Sequence, residues 1–164
     1  MEIRRARTSD IRAIRALVDT YTTDRRLLSK ATVTLYESVQ EFWVAVDERD
    51  RVLGCGALHV MWEDLAEIRT VAVDPAFRGR KLGHQIVARL LDVARELGVR
   101  RVFCLTFETS FFGSFGFTEI DGAPVPHTVY EQLLRSYDEG VAEFLDLERV
   151  KPNTLGNTRM LLKL

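Results

Sequence analysis

Cysteine, histidine and proline are scarce: two, three and four residues respectively in a chain of 164. Cys55 and Cys104 each lie inside an apolar, strand-like run. That placement reads as two buried free thiols in a reduced compartment, with a disulfide or a reactive thiol as the alternative. No metal is expected. The chain also lacks any apolar run approaching the ~20 residues of a transmembrane helix. Its start, Met1-Glu2-Ile3-Arg4-Arg5-Ala6-Arg7, has neither an apolar core nor a small-residue cleavage site, so no signal peptide is expected and the cytoplasm follows by default. Charge of one sign is missing too. The 23 basic and 24 acidic residues leave a net charge of −1, and no overall field draws the chain to nucleic acid or anionic lipid. Repeats, low-complexity tracts and linkers are absent.

What is present suits a globular protein. Hydrophobic residues make up 46% and charged residues 29%, enough to build a sizeable core within one domain spanning 1–164. Ile3-Arg4-Arg5-Ala6 reads as a first strand. Thr8-Ser9-Asp10 supplies N-cap chemistry for a helix whose Ile11, Ile14, Leu17, Val18 and Tyr21 recur at helical spacing. Polar residues from Thr22 to Lys30 form a loop. Thr32 can cap a second helix that buries Val33, Leu35, Tyr36 and Val39. Three strands follow, Phe42 to Val46, Val52 to Met61 and Leu65 to Val73, joined by short turns as an antiparallel meander. Gly54 and Gly56 inside the second of these suggest that another backbone or a ligand comes close.

Beyond Pro75, Leu82, Ile86, Leu90, Ala94 and Leu97 mark one stripe of an amphipathic helix that Gly98 stops. Val102-Phe103-Cys104-Leu105 is a buried strand. A short helix near Ser110 to Ser114, the turn Phe115-Gly116-Phe117 and a strand through Ile120 come next. His127 to Leu147 is helical in pattern with a break at Gly140; Lys151 to Gly156 is a loop, and Arg159-Met160-Leu161-Leu162 closes the chain as a strand. The order predicts one mixed α/β domain.

The most informative stretch is Thr70-Val71-Ala72-Val73-Asp74-Pro75-Ala76-Phe77-Arg78-Gly79-Arg80-Lys81-Leu82-Gly83-His84. A strand ends, a basic loop with glycine follows, and a long helix opens. Such a helix start offers unpaired N–H groups and the positive end of the macrodipole. Gly79 and Gly83 let backbone approach an anion, and Arg78, Arg80 and Lys81 can add charge-assisted contacts. The residues alone leave two readings open, an anion site or a turn of solvated charges. There is no Gly-Lys-Ser/Thr and no three-glycine dinucleotide fingerprint, so neither a Walker-type triphosphate nor a Rossmann dinucleotide fits.

Here the sequence resembles the GNAT acetyltransferase family. That family's motif, Gln/Arg-x-x-Gly-x-Gly/Ala, follows a strand ending in Val-x-Pro and opens a helix. Val73-Asp74-Pro75 and then Arg78-Gly79-Arg80-Lys81-Leu82-Gly83 match it at Arg78 and Gly83 and depart at Lys81, where glycine is usual. Lys81 can still supply its N–H provided its conformation does not require φ > 0. The Phe115-Gly116-Phe117-Thr118 turn also fits, and the likeness covers nearly all of the chain.

The resemblance implies a mostly antiparallel, twisted sheet of about seven strands, splayed at the cofactor and flanked by helices. It implies acetyl-CoA as cosubstrate, with its pyrophosphate on Arg78, Gly79, Arg80, Lys81, Leu82, Gly83 and His84 and its pantetheine arm along Val71, Ala72 and Val73. By the same resemblance the N–H near Val71 polarises the thioester carbonyl and Glu67 deprotonates the amine, directly or through water. Glu67 read by itself is either a base or a solvated strand residue. Arg69, two residues on, either binds a substrate carboxylate or pairs with Glu67. Phe112 stands where many members carry a tyrosine that protonates the leaving thiolate.

Ala66 to Pro75, Val102 to Thr106 and Phe111 to Thr118 are similar to the acetyltransferase domain of N-acetylglutamate synthases, without the amino-acid-kinase domain that many of them carry. This implies acetylation of the α-amine of L-glutamate, or of glutamine or a related amino acid, as the first step of arginine biosynthesis. A protein N-terminus, a polyamine or a non-catalytic acetyl-CoA sensor are the alternatives. Two carboxylates need two cationic or N–H-rich patches. The resemblance points to Lys30 for one and Asn157-Thr158-Arg159 for the other, with Arg69 and Thr106 as further candidates. His59 is either a core histidine or a substrate-facing one. A homodimer through an exposed edge strand is the family expectation.

Overall fold

The computed structural model describes residues 1–22 and 31–164. Its strands are β1 (Glu2–Arg5), β2 (Phe42–Val46), β3 (Val52–Trp62), β4 (Leu65–Val73), β5 (Arg101–Thr106), β6 (Thr118–Glu119) and β7 (Thr158–Lys163). They hydrogen-bond in the order β1-β2-β3-β4-β5-β7-β6. Pairing is antiparallel for β1–β2, β2–β3, β5–β7 and β6–β7, and parallel for β4–β5. The helices are α1 (Ile11–Thr22), α2 (Thr32–Glu37), α3 (Leu82–Glu96), α4 (Thr109–Gly113), α5 (His127–Leu133), α6 (Glu139–Phe144) and α7 (Lys151–Thr154). Short 3₁₀ turns link several of them. None of the helices among the described residues is long and apolar enough to cross a membrane.

The chain divides into two compact units, Met1–His59 with Ile68–Glu96, and Val60–Glu67 with Leu97–Leu164. In the first, the helical stripe of α1 does what its spacing predicts. Ile11, Ile14, Leu17 and Val18 bury against Phe42, Val44, Cys55, Ala57 and Ala72. α2 contributes only Leu35 to this core; Val33 and Tyr36, expected inside, are 61% and 41% exposed. With six residues α2 is under two turns long and has room for one inward position.

The opposite side of the meander in this unit receives α3. A Cβ built on Gly56 would stand 2.7 Å from Ile86 Cγ2 and 3.1 Å from Leu90 Cδ1, and one on Gly54 would stand 3.3 Å from the Ala72 carbonyl. The close approach expected at these glycines is therefore that of α3 and of β4 itself.

The second unit has its own core. Met61, Leu65, Phe103, Leu133, Val141, Phe144, Leu145 and Leu161 cluster, with the Phe103 and Phe144 rings edge-to-face at 5.0 Å. The helical pattern from His127 to Leu147 breaks at 134–138, not at Gly140, which lies inside α6. Asp138 sets the new start by accepting the Val141 N–H at 2.9 Å. Likewise 151–154, expected as loop, winds into α7, with proline at the start where its missing N–H costs nothing. Cys55 and Cys104 are both free and buried. Burial pushes the Cys55 thiol up to about 12 and the Cys104 thiol higher still, so neither is a nucleophile at neutral pH.

Candidate active site

The sequence candidates fall into two groups, one in each unit. In the first unit, β4 from Ile68 to Val73 runs past the end of its pairing with β5, which covers only Leu65↔Arg101, Ala66↔Val102 and Glu67↔Phe103. Midway, Thr70 has φ 59°. A β-branched residue in the left-handed region is a genuine outlier, and such strain gathers at functional positions. The residue is buried, and its carbonyl accepts from the Cys55 thiol at 3.5 Å. The side chains of Val71 and Val73 lie over Gly56 and Gly54, at 3.4 and 3.5 Å from the built Cβ positions. What they leave for a ligand is backbone.

β4 delivers the chain into the basic loop. Asp74 closes a 3₁₀ turn by accepting the Ala76 N–H at 2.9 Å, and its own N–H donates to the Leu53 carbonyl at 2.8 Å. Gly79 has φ 82° with open space where a Cβ would stand, and Lys81 has φ 59°. The condition placed on Lys81 is not met: its backbone occupies the region that glycine favours, so the loop holds its N–H at the cost of that strain. Two left-handed residues two apart, just before a helix, occupy the region that backbone anion nests use. The Lys81 carbonyl accepts from Gln85, the first bond of α3, so the N–H groups of Leu82 and Gly83 have no intrahelical acceptor. Leu82 itself is buried at 1% exposure and can offer only backbone, while Arg78, Arg80, Lys81 and His84 are exposed.

The left-handed lysine has a measurable consequence. An L-residue there costs ~1–2 kcal/mol, and the extra freedom of unfolded glycine returns about 0.4–1 kcal/mol of that. Lys81→Gly should therefore raise the unfolding midpoint by ~1–3 °C in a thermal melt. If N–H groups hold the anion, its dissociation constant should move by less than about threefold. A tenfold rise would assign the binding to the ammonium instead.

Also in this unit, His59 on β3 lies 2.5 Å from Glu41 Oε1 through Nδ1, so the histidine is held by a carboxylate and is not an apolar core residue. Arg69 is half-buried on β4.

In the second unit Glu67 is only 4% exposed, which excludes a solvated strand residue. It pairs across the ladder with Phe103, and Phe103 pairs with Leu161. The Arg159 guanidinium lies over the Phe103 ring at 5.1 Å. β5–β7 pairing brings Thr106 opposite Thr158 and Leu105 opposite Arg159, so four of the six substrate candidates, Thr106, Asn157, Thr158 and Arg159, share one end of the ladder. Lys30 lies outside the described residues.

Arg159 is heavily engaged. Its two Nη atoms donate to the carbonyls of Glu143 and Gly122, each at 2.7 Å, and of Phe144, so it caps the C-terminal end of α6. Its Nε and the Asn157 Oδ1 are buried without a hydrogen-bond partner. Burial lowers the Arg159 pKa, and the carboxylates of Asp146, Glu67 and Asp121 oppose that shift. The Thr106 hydroxyl accepts the Glu108 N–H at 2.8 Å, turning the chain after β5. Phe112 is buried among Phe111 and Phe117, with ring centroids 5.1 and 5.3 Å away, and carries no proton to give. No His, Cys, Asp and Glu among the described residues group as a metal site.

Comparison with known proteins adds the following. The acetyltransferase (GNAT) family profile matches residues 11–117. The amino-acid acetyltransferase of Mycobacterium tuberculosis is 65% identical over 164 residues, 99% of this chain and 94% of that protein. The crystal structure of Rv2747 from Mycobacterium tuberculosis, in complex with CoA and NLQ, superposes with a TM-score of 0.97 at 64% identity over 100% of this chain and 99% of that one. N-acetylglutamate synthase from Neisseria gonorrhoeae, complexed with coenzyme A and N-acetyl-glutamate, shares the fold at a TM-score of 0.79 and 23% identity, with 99% of this chain matching 35% of that one.

Proposed function

The chain belongs to the GNAT acetyltransferase family, and from that premise we propose that it transfers acetyl from acetyl-CoA to the α-amine of L-glutamate, or of glutamine or a related amino acid. The observation that carries this reading is the end-to-end likeness to an amino-acid acetyltransferase. The same reading puts the reaction in the cytoplasm, at the first step of arginine biosynthesis, with one acetyltransferase domain and an edge-strand homodimer.

The nest formed by Gly79 and Lys81 and the open N–H groups of α3 take the pyrophosphate, with Arg78, Arg80 and His84 at its rim. The free edge of β4 takes the pantetheine arm as an added strand, through Val71, Ala72 and Val73. The Val71 N–H polarises the thioester carbonyl. A fixed N–H aimed at the developing oxyanion is commonly worth ~3 kcal/mol in the transition state. Glu67 accepts a proton from the amine, directly or through water. The amine nitrogen then bonds the acetyl carbon, the carbon–sulfur bond breaks, and the thiolate leaves. With Phe112 aprotic, solvent returns its proton; at neutral pH a thiolate is a tolerable leaving group.

The substrate's carboxylates fall to Lys30, Arg69, Thr106, Asn157, Thr158 and Arg159. The unpartnered Nε–H of Arg159 suits a carboxylate more than the cationic tail of a polyamine. The test is a coupled thiol-release assay with amino acids, peptides and polyamines. Glutamate or glutamine should exceed peptides and polyamines in kcat/KM by at least roughly tenfold. Equal turnover of peptides removes the amino-acid assignment.

A further inference from the structure

The open edge of β4 is not fully open. Because the Asp74 N–H donates to Leu53 on β3, the carbonyl on the other side of the same trans peptide, that of Val73, points away from β3. This is the edge left unpaired where the β4–β5 register ends at Glu67. A strand-like ligand on that edge would use the acceptor at Val73. The acceptor is already taken: the Tyr21 hydroxyl, from the last turn of α1, donates to it at 2.5 Å. The same tyrosine ring carries the Arg78 guanidinium at 5.9 Å, so one side chain touches both the end of the edge and the first cation of the phosphate loop.

We propose that Tyr21 is a positioning residue that ends the pantetheine's pairing with β4 and fixes where the pyrophosphate turns into the loop. The proposal rests on the acetyl-CoA reading above. Extended backbone presents groups to one edge at every second residue, so Val71 offers both its N–H and its carbonyl and Val73 only its N–H. With its last acceptor occupied, the ladder stops there, and the cofactor has to leave the edge beside Arg78. Removal of the hydroxyl would free the Val73 carbonyl and let the arm slide along the strand, out of register with the anion nest.

Tyr21→Phe keeps the ring under Arg78 and deletes only the hydroxyl. Calorimetric titration with CoA and with pantetheine, which lacks the phosphates, separates register from simple loosening. Loss of the hydroxyl should weaken CoA about five- to tenfold, as one hydrogen bond of ordinary strength would. It should leave pantetheine within about twofold, because an arm without phosphates has no register to lose. Turnover should show the same pattern, with the KM for acetyl-CoA raised and the KM for the amino acid unmoved. Tyr21→Leu, which also removes the ring, should weaken CoA further. Equal weakening of CoA and pantetheine, or a lower unfolding midpoint with unchanged CoA affinity, would reduce Tyr21 to a packing residue and overturn the proposal. A parent protein that binds CoA but turns over no amine sinks the substrate assignment and leaves this proposal standing; one that binds no CoA removes both.

Discussion

Glu67→Gln is expected to cut turnover by ~10²–10³-fold while leaving the CoA dissociation constant within about twofold. The size of the loss follows from what the substitution removes. Glutamine has the shape of glutamate and can still fill the 4%-exposed space beside Phe103, but it cannot take a proton from an ammonium group. Binding of CoA belongs to the β4 edge and the loop, so affinity and rate should separate. The measurements are single-turnover thiol release and calorimetric titration of CoA. A second readout guards against an indirect effect. The Glu67 carboxylate favours the charged form of Arg159, so its loss also withdraws support from that buried cation. Were this the whole of the effect, the amino acid's KM would rise with kcat preserved. A general base instead lowers kcat and leaves the amino acid's KM little changed. Unchanged turnover would take Glu67 out of the mechanism.

Most of the fold was legible because its periodicities are strong. The α3 stripe from Leu82 to Ala94, the three-strand meander and the short apolar β5 all lie where spacing and turn residues put them, whereas Leu97, expected on that stripe, follows the helix and is 59% exposed. The loop was legible too, since a Val-x-Pro strand end followed by arginine and glycine has few other uses. The parts that were not legible share a cause: they depend on backbone dihedrals or on partners distant in sequence. Nothing about a threonine announces φ 59° at Thr70, since the strain is imposed by the strands around it. Lys81 was flagged by a missing glycine, yet its left-handed backbone appears only in the structure. Gly140 drew the predicted helix break to the wrong place because helix interiors tolerate a glycine at a cost of only ~1 kcal/mol, while Asp138 capped the true start. Arg159 was read as a carboxylate-binding cation of the last strand. Three backbone carbonyls from 122, 143 and 144 claim it, and no pattern in the sequence links those positions. The Tyr21 hydroxyl is the same kind of case, since helical spacing accounts for its ring and says nothing of Val73.

Gly56→Val should be the most damaging single substitution in the first unit, lowering stability by ~2–4 kcal/mol and the unfolding midpoint by ~5–15 °C. Even the first added carbon would stand 2.7 Å from Ile86 Cγ2, 3.1 Å from Leu90 Cδ1 and 3.4 Å from Val71 Cγ2. Ile86 and Leu90 are fully buried, so neither can swing to solvent. α3 has to lift from the sheet or β3 has to bow. Either movement carries function with it, because α3 begins at Leu82 and its first N–H groups form part of the anion cradle. The folded fraction of Gly56→Val should therefore bind CoA more weakly, with pantetheine affected less. Gly56→Ala supplies the graded control: the same direction at roughly half the size, since overpacking grows with each added methyl group. A matched experiment relieves the contact from the other side. Ile86→Ala in the Gly56→Ala background removes the Cγ2 that would stand 2.7 Å from the added carbon, and the double variant should lose less than the sum of the two single losses, whereas Ile86→Ala alone costs about 2–5 kcal/mol. A loss below that sum places the strain at the β3–α3 contact; simple addition of the two losses would show that β3 bends away and that α3, with the loop it holds, stays where it is.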